Sequence, residues 1–311
     1  MSPEVSNKWE DDDPLPEGRV MGNAIILPDG KTLVVNGANT GVAGYGNDSW
    51  VVGDSYADDP VYSPVIFDPT QPAGQRWSRK GLKDSPIPRM YHSTATLLPD
   101  GSVFIAGSNP HPDYVTAAKF PSEYRVERFY PLYYNKRRPE PKGLPTKLTY
   151  GGQYFEVELS SQDLSNNQAN LKATKVMVIK TGFSTHAINF GQRAAELDFT
   201  YTANKDGSAI LHVSQLPPNA AIVAPGPGWL FVVIDGVPSV GVPVMIGSGK
   251  IETQQLLTVE ALPESSDITG SPDTGGNGDS NTKKGASSVG ASVHGAGALL
   301  AILATLMALF A

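Results

Sequence analysis

One pattern occurs twice in this chain and limits what the chain can fold into. Gly18-Arg-Val-Met-Gly-Asn-Ala-Ile-Ile-Leu-Pro-Asp29-Gly-Lys-Thr-Leu-Val-Val-Asn-Gly37 lines up with Pro88-Arg-Met-Tyr-His-Ser-Thr-Ala-Thr-Leu-Leu-Pro-Asp100-Gly-Ser-Val-Phe-Ile-Ala-Gly107. The two Asp-Gly turns, at Asp29 and Asp100, stand 71 residues apart. Each copy reads strand, Pro-Asp-Gly hairpin turn, strand, glycine. A repeated sheet unit of this kind is the signature of a propeller blade. Kelch-type repeats have periods of about 50 residues, so the loops here must be longer. Outer strands are expected over 62–67 and 124–130. Two blades do not close a ring, since propellers have at least about four. Residues 18–135 therefore read as a partial kelch-like propeller with open strand edges, which invite aggregation.

The texture changes after Asn135-Lys-Arg-Arg-Pro-Glu-Pro, a basic, proline-bounded hinge. Strands are expected over 154–159, 175–180, 196–202, 209–213, 229–234 and 240–246. Their spacing and alternation suggest an antiparallel, immunoglobulin-like sandwich over 139–259. The whole is thus an all-β chain, rich in turn formers, with Gly 32 and Pro 26. Its two ends read differently. Residues 1–17 form an acidic leader. Residues 260–294 make a polar, disordered linker, and 295–311 a hydrophobic tail without one charge.

Bulk properties exclude some classes. The net charge of -7 argues against nucleic acid, whose phosphates need a basic footprint. With Cys 0, neither a disulfide nor thiol chemistry is available. Met1-Ser-Pro-Glu leads into the acidic run from Glu10 to Asp13, and no signal peptide is visible. At the other end, Gly285, Ala286, Ser287 and Ser288 are small residues. They precede a spacer and the apolar tail, which is the layout of a GPI-attachment signal. That reading predicts an extracellular, membrane-anchored protein at the cell surface. Asn47 heads the single glycosylation sequon Asn-Asp-Ser, which fits export.

Chemistry concentrates in few places. Tyr91 and His92 stand side by side at the mouth of a strand, where the other blade has Val20 and Met21. A role common to all blades would use similar residues in both copies, so the pair is special to one. Its other reading is structural: Tyr91 packs and His92 caps a turn. His186 lies between two sandwich strands, among small and polar residues that suit a loop tip. A loop histidine satisfied by a backbone carbonyl is the alternative there. His111, in Asn-Pro-His-Pro-Asp, reads as an exposed turn residue. His212 reads as a strand-face residue, and His294 belongs to the linker.

Three motifs in order resemble the C-terminal part of fungal glyoxal oxidases, which are copper radical oxidases related to galactose oxidase. They are Arg89-Met-Tyr-His-Ser with its Leu-Leu-Pro-Asp-Gly, Ser184-Thr-His-Ala-Ile-Asn-Phe-Gly-Gln-Arg193, and Trp229-Leu-Phe-Val-Val-Ile-Asp-Gly-Val-Pro-Ser-Val240. The loop Ala38-Asn-Thr-Gly-Val-Ala-Gly-Tyr-Gly-Asn47 favours the glyoxal oxidase branch. The likeness runs from about Gly18 to about Ile246. It implies a propeller of about seven blades followed by an early-set sandwich, one loop of which delivers a histidine to copper. It implies Tyr91 as axial ligand and proton-accepting base, and His92 and His186 as equatorial ligands. Cu(II) does favour tetragonal nitrogen and oxygen donors. The implied reaction oxidises small aldehydes to carboxylic acids and reduces O2 to H2O2. The family also needs a tyrosine crosslinked through a thioether to a cysteine, and a chain without cysteine cannot form that radical cofactor. The sequence is thus expected to represent a fragment, inactive alone. The rival reading is a catalytically silent surface module that binds carbohydrate or cell-wall polysaccharide.

Overall fold

The computed structural model describes residues 11–47 and 54–267, and nearly every element in them is a β-strand. One short 3-10 helix, Gln168–Ala173, is the exception. Residues 268–294 of the linker, with the small-residue run 285–288 and His294, and the hydrophobic tail lie outside the described residues. Among the described residues no helix is long and apolar enough to cross a membrane.

Both repeats form the predicted hairpins. Asn23–Ile26 pairs with Thr32–Val35, and Ser93–Leu97 with Val103–Gly107. Gly30 (φ 89°) and Gly101 (φ 78°) take the left-handed conformation that the tight turns require. Outer strands complete each sheet. Val65–Phe67 and Trp77–Ser78 make the first four-stranded, and Glu127–Phe129 makes the second three-stranded. The two sheets bury opposite faces of equivalent strands. Ile26 and Leu97 hold the same place in their hairpins, opposite Thr32 and Val103, yet Ile25 is buried in one sheet and Leu97 in the other. The cause is stacking: each sheet turns its apolar face to its neighbour, and Ile25, Leu33, Ala95, Leu97 and Val103 share one core.

The sandwich follows. Its larger sheet runs Lys147–Leu148, Val242–Ile246, Gly226–Ile234, Lys175–Lys180, Arg193–Leu197. Its smaller sheet runs Phe155–Leu159, Ala209–Val213, Phe199–Ala203. The single strand expected over 196–202 is in fact two strands in different sheets. The chain turns a corner at Asp198, and Leu197 and Tyr201 both still face the core.

The unbroken apolar run Val176-Met-Val-Ile179 explains how the two parts meet. Val176 and Val178 point into the sandwich core, with Leu230 and Val232 from the neighbouring strand. Met177 and Ile179, with Phe231 and Val233, point the other way and join the core of the blades. A strand covered on both faces needs no polar alternation. The hinge is welded rather than free. The Arg138 guanidinium donates to Asp100 O at 2.9 Å in the second blade, to Ser239 O at 2.8 Å in the sandwich, and to Pro238 O.

Two boundaries move outward. Residues 12–17 of the acidic leader clamp the first blade: the Asp13 carboxylate accepts the amides of Gly74 and Arg76, and Asp13 O accepts Trp77 Nε1–H. Those backbone amides hold the Asp13 carboxyl below its usual value. Of residues 260–267, expected in the disordered linker, Ser265 to Asp267 run beside the strand Phe199–Ala203. Ser266 N donates to Tyr201 O at 2.8 Å, and Tyr201 Oη donates to Asp267 at 2.9 Å. An edge strand with free backbone groups captures the passing chain.

Candidate functional site

Tyr91 and His92 end the turn that opens the second blade's first strand. His92 has φ 63°, in the left-handed region, and Met21 in the first blade has φ 58°. The strained backbone is therefore a property of the repeat, and only the side chains are special to the second copy. Asn109 fixes both residues. Its amide donates to Tyr91 O at 2.7 Å, and its carbonyl lies 3.0 Å from His92 Nδ1. A carbonyl only accepts, so Nδ1 carries the hydrogen and Nε2 keeps a free lone pair.

His186 sits at the turn of a hairpin, Phe183–Thr185 with Ile188–Phe190, that leaves the sandwich toward the blades. His186 (φ 54°) and Ala187 (φ 62°) are both left-handed, and Ala187 is buried with Met21, Met90 and Phe120. Amide side chains hold the hairpin down. Asn189 donates to Ala95 O at 2.9 Å and accepts from Asn23 at 2.7 Å, while Asn36 donates to Asn23 at 2.8 Å. Gln192 donates to Ala24 O at 2.6 Å and accepts Ile26 N–H at 3.2 Å. These bonds replace water on buried polar groups and set the hairpin's depth. His186 Nδ1 is 2.7 Å from Thr185 Oγ1, which leaves its Nε2 available too.

The fold brings the three residues together although 94 positions separate His92 from His186. The Tyr91 and His92 rings are 4.1 Å apart between centroids, and His186 lies 6.0 Å from each. A fourth ring was missed in the sequence. Tyr45 lies 6.0 Å from Tyr91 and 6.0 Å from His92. It ends the strand Ala38–Tyr45, whose pairing with Ser55–Pro60 shifts register between Gly41 and Tyr45. Such irregularities re-aim side chains near active sites. Nothing but its loop's composition marked Tyr45 beforehand.

The donor set suits copper. His92 and His186 are exposed and each presents one imidazole nitrogen, and Tyr91 adds a phenol. Among the described residues no three His, Asp or Glu side chains gather to hold a metal, so the phenol is what completes a third donor. Burial pushes the Tyr91 phenol above its usual value, and Tyr45 adds to the effect. A bound cation would act in the opposite sense.

The remaining sequence candidates are elsewhere. Asn47 is exposed, and the rest of its sequon lies outside the described residues. His212 is 8% exposed on a strand face, within 2.9 Å of Thr202 Oγ1. His111, expected at the surface, is only 1% exposed. Its turn folds inward, because both ring nitrogens find oxygen partners there.

Known proteins resemble the chain in both parts. A family model described as Glyoxal oxidase N-terminus matches residues 2–133, and one described as Galactose oxidase-like, Early set domain matches residues 138–246. An aldehyde oxidase of Vitis pseudoreticulata is 38% identical over 237 residues, covering 75% of this chain and 42% of that protein. An aldehyde oxidase of Arabidopsis thaliana is 34% identical over 235 residues, covering 73% of this chain and 35% of that protein. A solved structure of a fungal alcohol oxidase in complex with copper superimposes with a TM-score of 0.53 at 23% identity, over 75% of this chain and 43% of its own, and so shares the fold. The chain thus spans well under half the length of these relatives. With both models matched in order, the chain belongs with the glyoxal oxidase and galactose oxidase-like proteins.

Proposed function

We propose that this chain supplies the tyrosine and the two histidines of a copper site in an oxidase of the glyoxal oxidase type. The overall reaction takes a small aldehyde, water and O2 to a carboxylic acid and H2O2. Two electrons and two protons leave the hydrated aldehyde and reach oxygen. The observation that carries this reading is the convergence of Tyr91 and His92 from a blade with His186 from the sandwich. His92 and His186 would hold copper through Nε2, and Tyr91 through its phenol oxygen. Copper, when bound, supplies a one-electron acceptor and makes the phenol more acidic. The Tyr91 oxygen receives the substrate proton, and its burial favours the protonated form. The names of the relatives support an aldehyde or alcohol substrate.

A two-electron oxidation needs a second one-electron store. With no cysteine, this chain cannot build the thioether-crosslinked tyrosine that its family resemblance calls for. The chain by itself is therefore expected to bind copper without turning over. Titration of the full chain with Cu(II) should show one tight site, lost in His92→Ala and in His186→Ala. No H2O2 should form from glyoxal or methylglyoxal. A chain with no such site would support the silent-module reading instead, and copious peroxide would show that the chain is catalytically complete.

A further inference from the structure

His111 takes no part in the proposed chemistry, yet its ring is the best-covered titratable group near the site. Its side chain has no exposure to solvent. Nε2 lies 2.6 Å from Phe120 O, and Nδ1 lies 3.0 Å from Asp54 Oδ2. A carbonyl only accepts, so Nε2 carries a hydrogen and donates it. The ring therefore ties Phe120, at the far end of its own loop, to Asp54, which lies just before the strand paired with the one that ends at Tyr45.

The loop of His111 runs from Ser108 to Ser122. Ser122 Oγ donates to Asn109 Oδ1 at 2.6 Å, Asn109 Nδ2 donates to His111 O at 3.3 Å, and Ser122 N donates to Val115 O at 2.8 Å. Its far end is anchored by Phe120, which is 4% exposed and packed with Met21, Met90 and Ala187. The His111 ring spans the middle of this loop. It holds the Asn109 end against the Phe120 end, and the Asn109 carbonyl is what faces His92 Nδ1. The Asp54 carbonyl accepts Gly46 N–H at 2.8 Å, next to Tyr45.

We propose that His111 is a positioning residue: by pinning the loop that presents Asn109 O, it keeps the hydrogen of His92 on Nδ1 and Nε2 free as a donor. Outer partners of this kind fix the tautomer and ring orientation of a ligating histidine, and their loss typically costs about 10–100-fold in metal affinity. The metal part of the inference rests on the proposed copper site. The tautomer part does not.

The test uses the full chain with 15N-labelled histidine, without metal. Long-range 1H–15N spectra report the tautomer of each ring. His92 is expected in the Nδ1–H form in the parent chain. In His111→Ala it is expected to become a mixture of tautomers, and in His111→Gln, whose amide can donate to Phe120 O, to return to Nδ1–H. The His212 signals, from the sandwich, should stay unchanged throughout. Cu(II) affinity should fall about tenfold in His111→Ala and recover in His111→Gln. His111→Phe fills the same space without hydrogen bonds and should behave as the alanine variant does. A folded His111→Ala or His111→Phe chain that keeps His92 as Nδ1–H overturns the proposal. So does a chain that unfolds with both, because the ring would then hold the fold and not the site. A tautomer that responds in a chain with no copper site would leave His111 as a positioning residue and overturn the copper reading alone.

Discussion

Arg19 and Arg89 occupy the same place in their blades and do the same work. Arg19 donates to Asn36 O at 2.8 Å and to Ser63 O at 2.7 Å, and Arg89 to Gly107 O at 2.8 Å and Arg125 O at 2.9 Å. Each guanidinium is 1% exposed and paired with a glutamate, Glu17 or Glu127. The repeated arginine is thus a structural pin that satisfies carbonyls at the strand ends, while the unrepeated Tyr91 and His92 are the pair assigned to the proposed copper site. Removing one partner of a buried ion pair costs about 3–5 kcal/mol because the other is left uncompensated. Arg89→Met should lower the unfolding free energy by about that amount, measured by denaturant melts. A loss below about 1 kcal/mol would mean that water replaces the guanidinium freely. The residues told apart here were legible in the sequence from the repeat itself. Tyr45 and His111 were not, since Tyr91, His92 and Asp54 lie tens of residues from them and only folding brings them close.

The element that decides the site is the hairpin bearing His186. Gly182 stands at its base with φ 67°, and a Cβ there would come 1.9 Å from Phe190 O. Neither the conformation nor the space allows a side chain without moving the hairpin. Gly182→Ala should therefore displace His186 and abolish tight copper binding, while the two sandwich sheets stay folded. Copper titration alongside circular dichroism checks both halves of that outcome. Binding within a factor of about three of the parent chain would show that the hairpin's amide anchors, Asn189 and Gln192, override the strain at its base. The strand sequences foretold this hairpin only as a loop. Its two-residue tip and three-residue strands are too short for periodicity to register, and its depth is set by contacts to Asn23, Ala24 and Ala95.

Across the whole of residues 12–267 the blades and the sandwich form one compact unit. They share a core in which Phe231 and Met177 of the sandwich meet Ile25, Leu33 and Ala95 of the blades. Two blades without a ring thus find cover on one side from each other and from the sandwich. Phe231 is fully buried there, and Phe231→Ala should cost about 3–5 kcal/mol. Because the core is shared, amide hydrogen exchange should speed up together in Ser93–Leu97 and in Lys175–Lys180. Faster exchange confined to the sandwich would show that the blades fold independently of it.

The sequence by itself determined the all-β class, the paired Pro-Asp-Gly hairpins, the break near residue 135 and the three candidate ligands. Each of these is written in local pattern: alternation, turn chemistry, and a repeat in which one copy carries Tyr91 and His92 where the other has Val20 and Met21. Tertiary structure alone decided which blade face is buried, that Asp198 is a corner, that Arg138 welds the hinge, that Tyr45 meets the Tyr91 and His92 rings, and that His111 is buried between Asp54 and Phe120. These depend on which surfaces meet. A strand with apolar residues on both faces, such as Val176-Met-Val-Ile179, does not state its neighbours in its own order; packing against the sandwich core on one side and the blades on the other assigns them.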